Sequence, residues 1–342
     1  MITASYNFGG NKVKFYFEQS IKGIDSIARE KPLLFITDAN VHAAYATFFA
    51  QRTVIVIPAG EASKSFTTIE NIITQLTTLQ VTKDYLLVGM GGGVVTDVTG
   101  FVASIYMRGL QFAFIPTSLL AMVDAAIGGK NGINVGNYKN HIGTITQPNF
   151  ILFDRTTLYT LPHTEWVNAF AEVIKYGVIL NKDLFTLLQK NNLENFRDEH
   201  YLIAKLLYIC THIKALVVSE DVNDTGQRRL LNFGHTAGHA IEKMENIAHG
   251  EAIAKGMVIA MKISEEINNF YSTEKEEVLA LLQQYELPIT YNTPPLLMYK
   301  NLLLDKKRES KMINYILVSK IGKGVVTPIS LVQLQDLFTQ II

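Results

Sequence analysis

Three histidines lie within fifteen residues, in Asn232-Phe233-Gly234-His235-Thr236-Ala237-Gly238-His239 and His249-Gly250-Glu251. Neutral imidazoles with a carboxylate nearby are the donors that a catalytic Zn²⁺ takes, with one position left open for substrate. His235 and His239 are one helical turn apart, so their spacing points to paired ligands on one face. His249 opens a further helical segment with Glu251 beside it. Glu172, in Ala171-Glu172-Val173-Ile174-Lys175, falls on another helical segment with Lys175 on the same face. His42, His141, His163, His200 and His212 have no such company and read as ordinary core or surface groups.

A second chemical signal precedes this one by about 140 residues. Gly89-Met90-Gly91-Gly92-Gly93 follows an apolar run and leads into a helical pattern, with Asp97 one turn in. Backbone N–H groups at a helix N-terminus attract phosphate, and glycine lets the phosphate come close. Val94 replaces the third glycine of the Gly-x-Gly-x-x-Gly dinucleotide fingerprint, so that fingerprint is absent and a plain tight turn is the alternative. Asp38, Glu61 and Lys64 suit ribose hydroxyls, or serve as helix caps and solvated charges. Cations recur beside glycine or in apolar settings: Arg108-Gly109, Gly128-Gly129-Lys130, Lys139-Asn140, Lys175, Lys214, Arg228 and Asp305-Lys306-Lys307. In a neutral chain this pattern points to a pocket for a multiply anionic small molecule, whose phosphate and carboxylate match Arg and Lys donors.

These groups need elements to position them. Apolar runs at 32–37, 52–57, 85–88 and 112–115 read as buried strands, and 67–79 reads as a helix with Ile69, Ile72, Ile73, Leu76 and Leu79 on one face. Strands alternating with helices predict a parallel sheet covered by helices. Ligands bind such sheets beyond the carboxyl ends of the strands. Asp38, Gly60-Glu61, Gly91–Gly93 and Thr117-Ser118 all fall there. From about Leu161 the pattern becomes helical, at 165–178, 184–189, 201–220, 238–244, 252–270 and 275–285. Residues 314–318 and 324–326 read as a small hairpin. The predicted fold is α/β: an N-terminal Rossmann-like parallel-sheet domain, 1–157, then a mainly α-helical domain, 158–342.

Composition narrows the function classes. The chain has 342 residues, 48% of them hydrophobic and 18% charged, and 31 basic side chains balance 31 acidic ones. That describes compact domains, not a disordered chain. The balance argues against binding nucleic acid or an acidic membrane surface. Cys210 is the single cysteine; it excludes an internal disulfide, points to a reducing compartment, and reads as a core residue. The start of the chain has neither the basic nor the apolar region of a signal peptide. The longest apolar run, 112–127, is broken by Pro116 and Asp124 and is too short to span a bilayer.

Taken as a series, these stretches closely resemble the 3-dehydroquinate synthases, sugar-phosphate cyclases of the shikimate pathway. The resemblance rests on Pro58-Ala59-Gly60-Glu61-Ala62-Ser63-Lys64, Gly91–Asp97, Tyr106-Met107-Arg108-Gly109, Pro116–Asp124, Ile127–Lys130, Lys139–Gly143, Ala171–Lys175, Leu230–Glu242 and His249–Glu251, in the family's order. It implies Glu172, His235 and His249 as ligands of Zn²⁺, with Co²⁺ as a substitute, which turns His239 toward substrate. It implies NAD at Asp38, Glu61, Lys64, Gly91, Gly92, Gly93, Asp97, Thr117, Ser118, Lys139 and Thr160. Asp124, Lys130, Asn140, Lys175, Lys214, Arg228, Asn232 and His239 are implied around substrate, together with Lys306 or Lys307. Arg108 is implied to reach the phosphate site of a second copy in a cytoplasmic homodimer. The implied reaction converts 3-deoxy-D-arabino-heptulosonate 7-phosphate to 3-dehydroquinate and phosphate. Its steps are transient NAD-dependent oxidation, phosphate elimination, reduction, ring opening and aldol closure. Residues 134–138 depart from the family's Pro-Leu-Gly before Lys139. A related cyclase, a metal-dependent polyol dehydrogenase and a nucleotide-binding module without chemistry are the competing readings.

Overall fold

The computed structural model describes residues 2–29, 31–136, 138–305 and 311–340. The chain divides into two compact units. The first comprises Met1–Pro162 together with Ala204–Asn223, and the second His163–Ile203 together with Asp224–Ile342.

The first unit is built on a sheet of seven strands: β1 (Ile2–Phe8), β2 (Asn11–Phe17), β3 (Leu33–Asp38), β4 (Thr53–Ile57), β5 (Leu86–Gly91), β6 (Gln111–Pro116) and β9 (Phe150–Phe153). Their order across the sheet is β1-β2-β9-β6-β5-β3-β4. Every pairing is parallel except that of β1 with β2. A parallel sheet covered on both faces needs strands that are apolar throughout, and every residue of β5 is buried. The helices of this unit are α1 (Ile24–Ala28), α2 (Ala39–Ala44), α3 (Ala46–Phe49), α4 (Phe66–Thr78) and α5 (Gly93–Ile105). On α4 the buried positions are Ile69, Ile72 and Leu76, whereas Leu79, expected on that face, caps the helix and is exposed.

The sequence reading did not include β1, β2, β9, or the separate hairpin of β7 (Lys130–Val135) and β8 (Tyr138–Ile145). The first hairpin turns at Gly9 and Gly10, whose φ angles of 59° and 92° suit a two-residue connection between twisted strands. It buries Val13, Phe15 and Phe17 at alternate positions.

The second unit is mainly helical: α6 (His163–Ile179), α7 (Lys182–Gln189), α8 (Leu193–Asp198), α10 (His235–Glu245), α11 (His249–Asn268), α12 (Ser272–Gln284), α13 (Pro295–Asp305) and α14 (Leu331–Gln340). The expected hairpin is present as β10 (Met312–Lys320) with β11 (Lys323–Ser330). Most of α9 (His200–Glu220) belongs to the first unit, where Tyr208 meets Phe17 edge-on and His212 accepts the Tyr6 hydroxyl at 2.8 Å. By length and composition α9 is apolar enough to cross a membrane, but half of its most apolar stretch is buried, as in the core helices of globular domains. Cys210 lies on it, fully buried as expected, and burial pushes its thiol well above the ordinary range.

Candidate active site

In the second unit the histidine cluster is assembled by helix packing. His235 is the first residue of α10 and His249 the first of α11. The two helices can approach closely because Gly256 carries no side chain; a Cβ there would land on the carbonyl oxygen of Gly234. Gly250 lies equally tightly against the backbone of Asn168 on α6, the helix that carries Glu172. Three helices thus bring Glu172, His235 and His249 together, each offering one ligand atom within 4.8 Å of the others.

The geometry inside this cluster is specific. Glu172 is fully buried. Among the described residues its Oε1 has no hydrogen-bond partner, and it lies 3.5 Å from His235 Nε2 and 3.6 Å from His249 Nε2. Its Oε2 pairs with Lys175 Nζ, which also donates to the Leu231 carbonyl oxygen at 2.7 Å. Each histidine directs its other ring nitrogen elsewhere: His235 Nδ1 is 3.1 Å from the Phe233 carbonyl oxygen, and His249 Nδ1 is 3.4 Å from Glu242 Oε2. Such partners fix the orientation of each ring and turn Nε2 inward. Burial opposes the charge on Glu172, but Lys175 and the two rings hold its carboxyl well below the ordinary range. Burial pushes the His235 ring down to about 3, so it is neutral. Burial also works against a charge on His249, yet the neighbouring Glu172 and Glu242 carboxylates raise it to about 9. The electrostatics of the cluster therefore favour a positive charge between the carboxylates.

His239 belongs to a second, overlapping group with Glu242 and His249. Its ring is 5.3 Å from that of His235, centre to centre, and the residue is exposed. Spacing along one helix had paired His235 with His239; in the structure it is Glu172 that completes the inward-facing set around His235. Glu242, one turn beyond His239, was given no role from sequence. Arg228 is buried in the short turn Gln227–Asn232, at whose end Asn232 is exposed.

In the first unit the glycine turn opens α5. Gly92 is its N-cap, and no side chain caps it. The N–H groups of its first turn remain available to an anion. Thr117 donates its backbone N–H to the Gly91 carbonyl oxygen at 2.9 Å, and Ser118 faces Gly92. The strand order reverses between β3 and β5, and the carboxyl ends of these two strands carry Asp38 and Gly91. This is the switch point at which open α/β sheets bind ligands. Asp38 caps α2, accepting from the N–H groups of Asn40 and Val41. Thr160 donates to the Thr157 carbonyl oxygen at 3.3 Å.

A polar network lies beside the glycine turn. Lys64, buried, places Nζ 2.5 Å from both Asp97 Oδ2 and Asn140 Oδ1. Burial raises the Asp97 carboxyl to about 6, against the pull of Lys64. Asn134, absent from the sequence-derived set, donates from Nδ2 to Glu61 Oε1 at 2.7 Å. Asp124 lies in a π-helical turn, Ala121–Ala125, and both its backbone carbonyl and its carboxylate accept from Lys214 Nζ at 2.6 Å. Lys130 and Lys139 are exposed on the β7–β8 hairpin. Arg108 is exposed on a turn where it and Met107 have φ angles of 62° and 48°. Lys306 and Lys307 lie outside the described residues.

Residues 54–168 match the family model described as 3-dehydroquinate synthase N-terminal, and residues 169–308 the one described as 3-dehydroquinate synthase C-terminal. The chain is 44% identical to the 3-dehydroquinate synthase of Pyrococcus abyssi over 272 residues, 79% of each chain. It is 35% identical to that of Clostridium acetobutylicum over 342 residues, covering 94% of this chain and 95% of the other. In fold it resembles the 2-epi-5-epi-valiolone synthase of Streptomyces hygroscopicus, solved with NAD+ and Zn2+ bound. That match has a TM-score of 0.86 at 24% identity and covers 96% of both chains.

Proposed function

We infer the activity from a single premise: the chain belongs to the 3-dehydroquinate synthase family. It converts 3-deoxy-D-arabino-heptulosonate 7-phosphate to 3-dehydroquinate and phosphate. The observation that carries the reading is the cluster in which Glu172 Oε1, without a hydrogen bond, faces the Nε2 atoms of His235 and His249 at 3.5 and 3.6 Å.

That cluster fits a divalent cation. Nitrogen and oxygen donors about 2.0–2.2 Å from a tetrahedral Zn²⁺ stand roughly 3.3–3.5 Å apart. A buried carboxylate oxygen without a donor is the group such an ion satisfies. Glu172, His235 and His249 would hold Zn²⁺, with Co²⁺ as a substitute. The His239–Glu242–His249 group suits it less, because Glu242 is engaged with His249 Nδ1. Bound there, the ion supplies Lewis acidity, lowering the pKa of a coordinated hydroxyl and polarising a ketone.

The chain's own residues do the remaining work. Lys175 is held by Glu172 and the Leu231 carbonyl, so its ammonium is fixed in place. Exposed His239 suits proton exchange with a bound hydroxyl. Arg228 with Lys214 suits the substrate carboxylate, and Lys130, Asn140 and Arg108 suit its phosphate, with Lys306 or Lys307. Asp124 orients Lys214, Asn232 stands with His239 around the reacting hydroxyls, and the eliminated phosphate can itself take up a proton.

Residues 1–157, with Thr160 just beyond them, take the NAD-binding task and 158–342 the metal task. The uncapped start of α5, at Gly91, Gly92 and Gly93 with Thr117 and Ser118 beside it, would hold the NAD pyrophosphate. Asp38, Glu61, Lys64, Asp97, Lys139 and Thr160 complete the NAD set. NAD supplies reversible hydride transfer and is restored within the turnover, so the net reaction is that of a lyase. The protein works as a cytoplasmic homodimer in which Arg108 crosses to the second copy. Exposed Ile105 and Met107 beside Arg108 support such a contact.

The test is phosphate release from the heptulosonate phosphate, measured with and without NAD⁺ and a chelator. Release that needs neither NAD⁺ nor metal would overturn the reading.

A further inference from the structure

We propose that Asn134 is a positioning residue that sets Glu61 and Asn140 together, one for the cofactor and the other for the substrate phosphate. The proposal rests on the reading above, which assigns Glu61 to NAD and Asn140 to phosphate.

Asn134, on β7, uses three groups at once. Its backbone N–H donates to the Lys64 carbonyl oxygen at 2.8 Å. Its Nδ2 donates to Glu61 Oε1 at 2.7 Å. Its Oδ1 accepts from the backbone N–H of Asn140 at 2.9 Å. Asn140 has a φ of 54°, in the left-handed region, where asparagine is commoner than most non-glycine residues but still gains from a contact that holds it. The Asn134 carboxamide supplies that hold. The side chain of Asn140 is then aimed at Lys64, whose Nζ donates to Asn140 Oδ1 at 2.5 Å and pairs with Asp97 at the same distance. The network closes on itself: Lys64 to Asn134 through the backbone, Asn134 to Asn140, and Asn140 back to Lys64. Only a side chain with both a donor and an acceptor at this length serves the two ends together. An acceptor facing Asn140 and a donor facing Glu61 also fix the orientation of the amide.

The chemistry predicts a split between two substitutions. Asn134→Asp keeps an acceptor for the Asn140 N–H but sets a carboxylate against that of Glu61. It should displace the Glu61 end and leave the Asn140 end in place. Asn134→Ala removes both contacts. In calorimetric titrations of the full-length protein, Asn134→Asp should raise the Kd for NAD⁺ about tenfold and leave that for inorganic phosphate within about twofold. Asn134→Ala should raise both about tenfold, as expected when groups of this kind lose a hydrogen bond. Combining Asn134→Asp with Glu61→Gln should weaken NAD⁺ less than the product of the two single effects. A merely structural role would move both ligands together. Equal shifts for the two ligands in Asn134→Asp, or no shift in NAD⁺, overturn the proposal, as does an Asn134→Ala protein that binds both normally. If Asn134→Ala does not fold, the Asn134→Asp split decides alone. Failure of the activity reading is separable, because it shows as wild-type protein that releases no phosphate from the heptulosonate phosphate.

Discussion

Glu172 Oε1, on a fully buried side chain, stands 3.5 Å from His235 Nε2 with no hydrogen-bond donor among the described residues. The pair defines one edge of the candidate metal centre. His235→Ala should lower bound Zn²⁺ from roughly one per chain to near zero. NAD⁺ binding, proposed for the other unit, should stay within about twofold of wild type. Metal analysis and NAD⁺ titration of the same preparation check both halves. Undiminished Zn²⁺ would falsify the ligand assignment.

Gly256 tests how the centre is assembled. A Cβ there would meet the Gly234 carbonyl, so Gly256→Ala must force α10 and α11 apart. Overpacking of this kind typically destabilises by about 1–3 kcal/mol, and more where the obstacle is backbone. Thermal denaturation should show that loss, and metal affinity should fall even though no ligand has changed. A variant with wild-type melting temperature and metal content would refute the packing argument.

Hydride leaves and returns within one turnover in the proposed reaction. Substoichiometric NAD⁺ should therefore support many turnovers, and absorbance from NADH should not build up. If NADH forms one for one with substrate consumed, the protein is a polyol dehydrogenase instead.

Arg228 is buried and permanently charged, with a planar fork suited to a carboxylate. Arg228→Ala should weaken the heptulosonate phosphate by about 2–5 kcal/mol, much of it from the partner left unpaired. Arg228→Lys should recover only part of this. A substrate analogue without the carboxylate should lose little further affinity in Arg228→Ala. Equal losses for the two ligands would favour a cyclase acting on a neutral sugar.

Asp97 provides a pH test. Burial raises its carboxyl from 3.8 to about 6 in the folded protein, despite Lys64. A folded value above the unfolded one contributes stability that is fully present below 3.8 and lost as pH rises through about 6. The stability of the wild type relative to Asp97→Asn should therefore fall between pH 4 and 7, by about 1–2 kcal/mol after allowing for partial exposure. Urea unfolding of both proteins across this range checks it. A difference that does not vary with pH would mean that the carboxyl is not raised.

The runs that became β3, β4, β5 and β6 were legible because a buried parallel strand is apolar from end to end. The glycine turn was legible because it joins such a strand to a helix. The N-terminal hairpin left a signal that was not read: Gly9-Gly10 between alternating residues, with Val13, Phe15 and Phe17 inward. The strand β8 left almost none, since it is exposed or half-buried along its whole length. β9, at four residues, is too short for periodicity to register.

Residue types and local spacing determined that this chain would carry a glycine-rich turn on a parallel sheet and a histidine cluster among helices. Periodicity decides which residues share a face of one helix, and so it paired His235 with His239. It cannot decide which other helix that face meets. Tertiary packing did so. Gly256 let α11 close on α10, Gly250 let it close on α6, and Glu172 from α6 thereby faced His235 and His249. Packing likewise returned Ala204–Asn223 to the first unit and made Asn134 a partner of both Glu61 and Asn140. The physical reason is the same in each case. These contacts join residues far apart in the chain, and their energy depends on shapes that exist only once the helices and strands have packed.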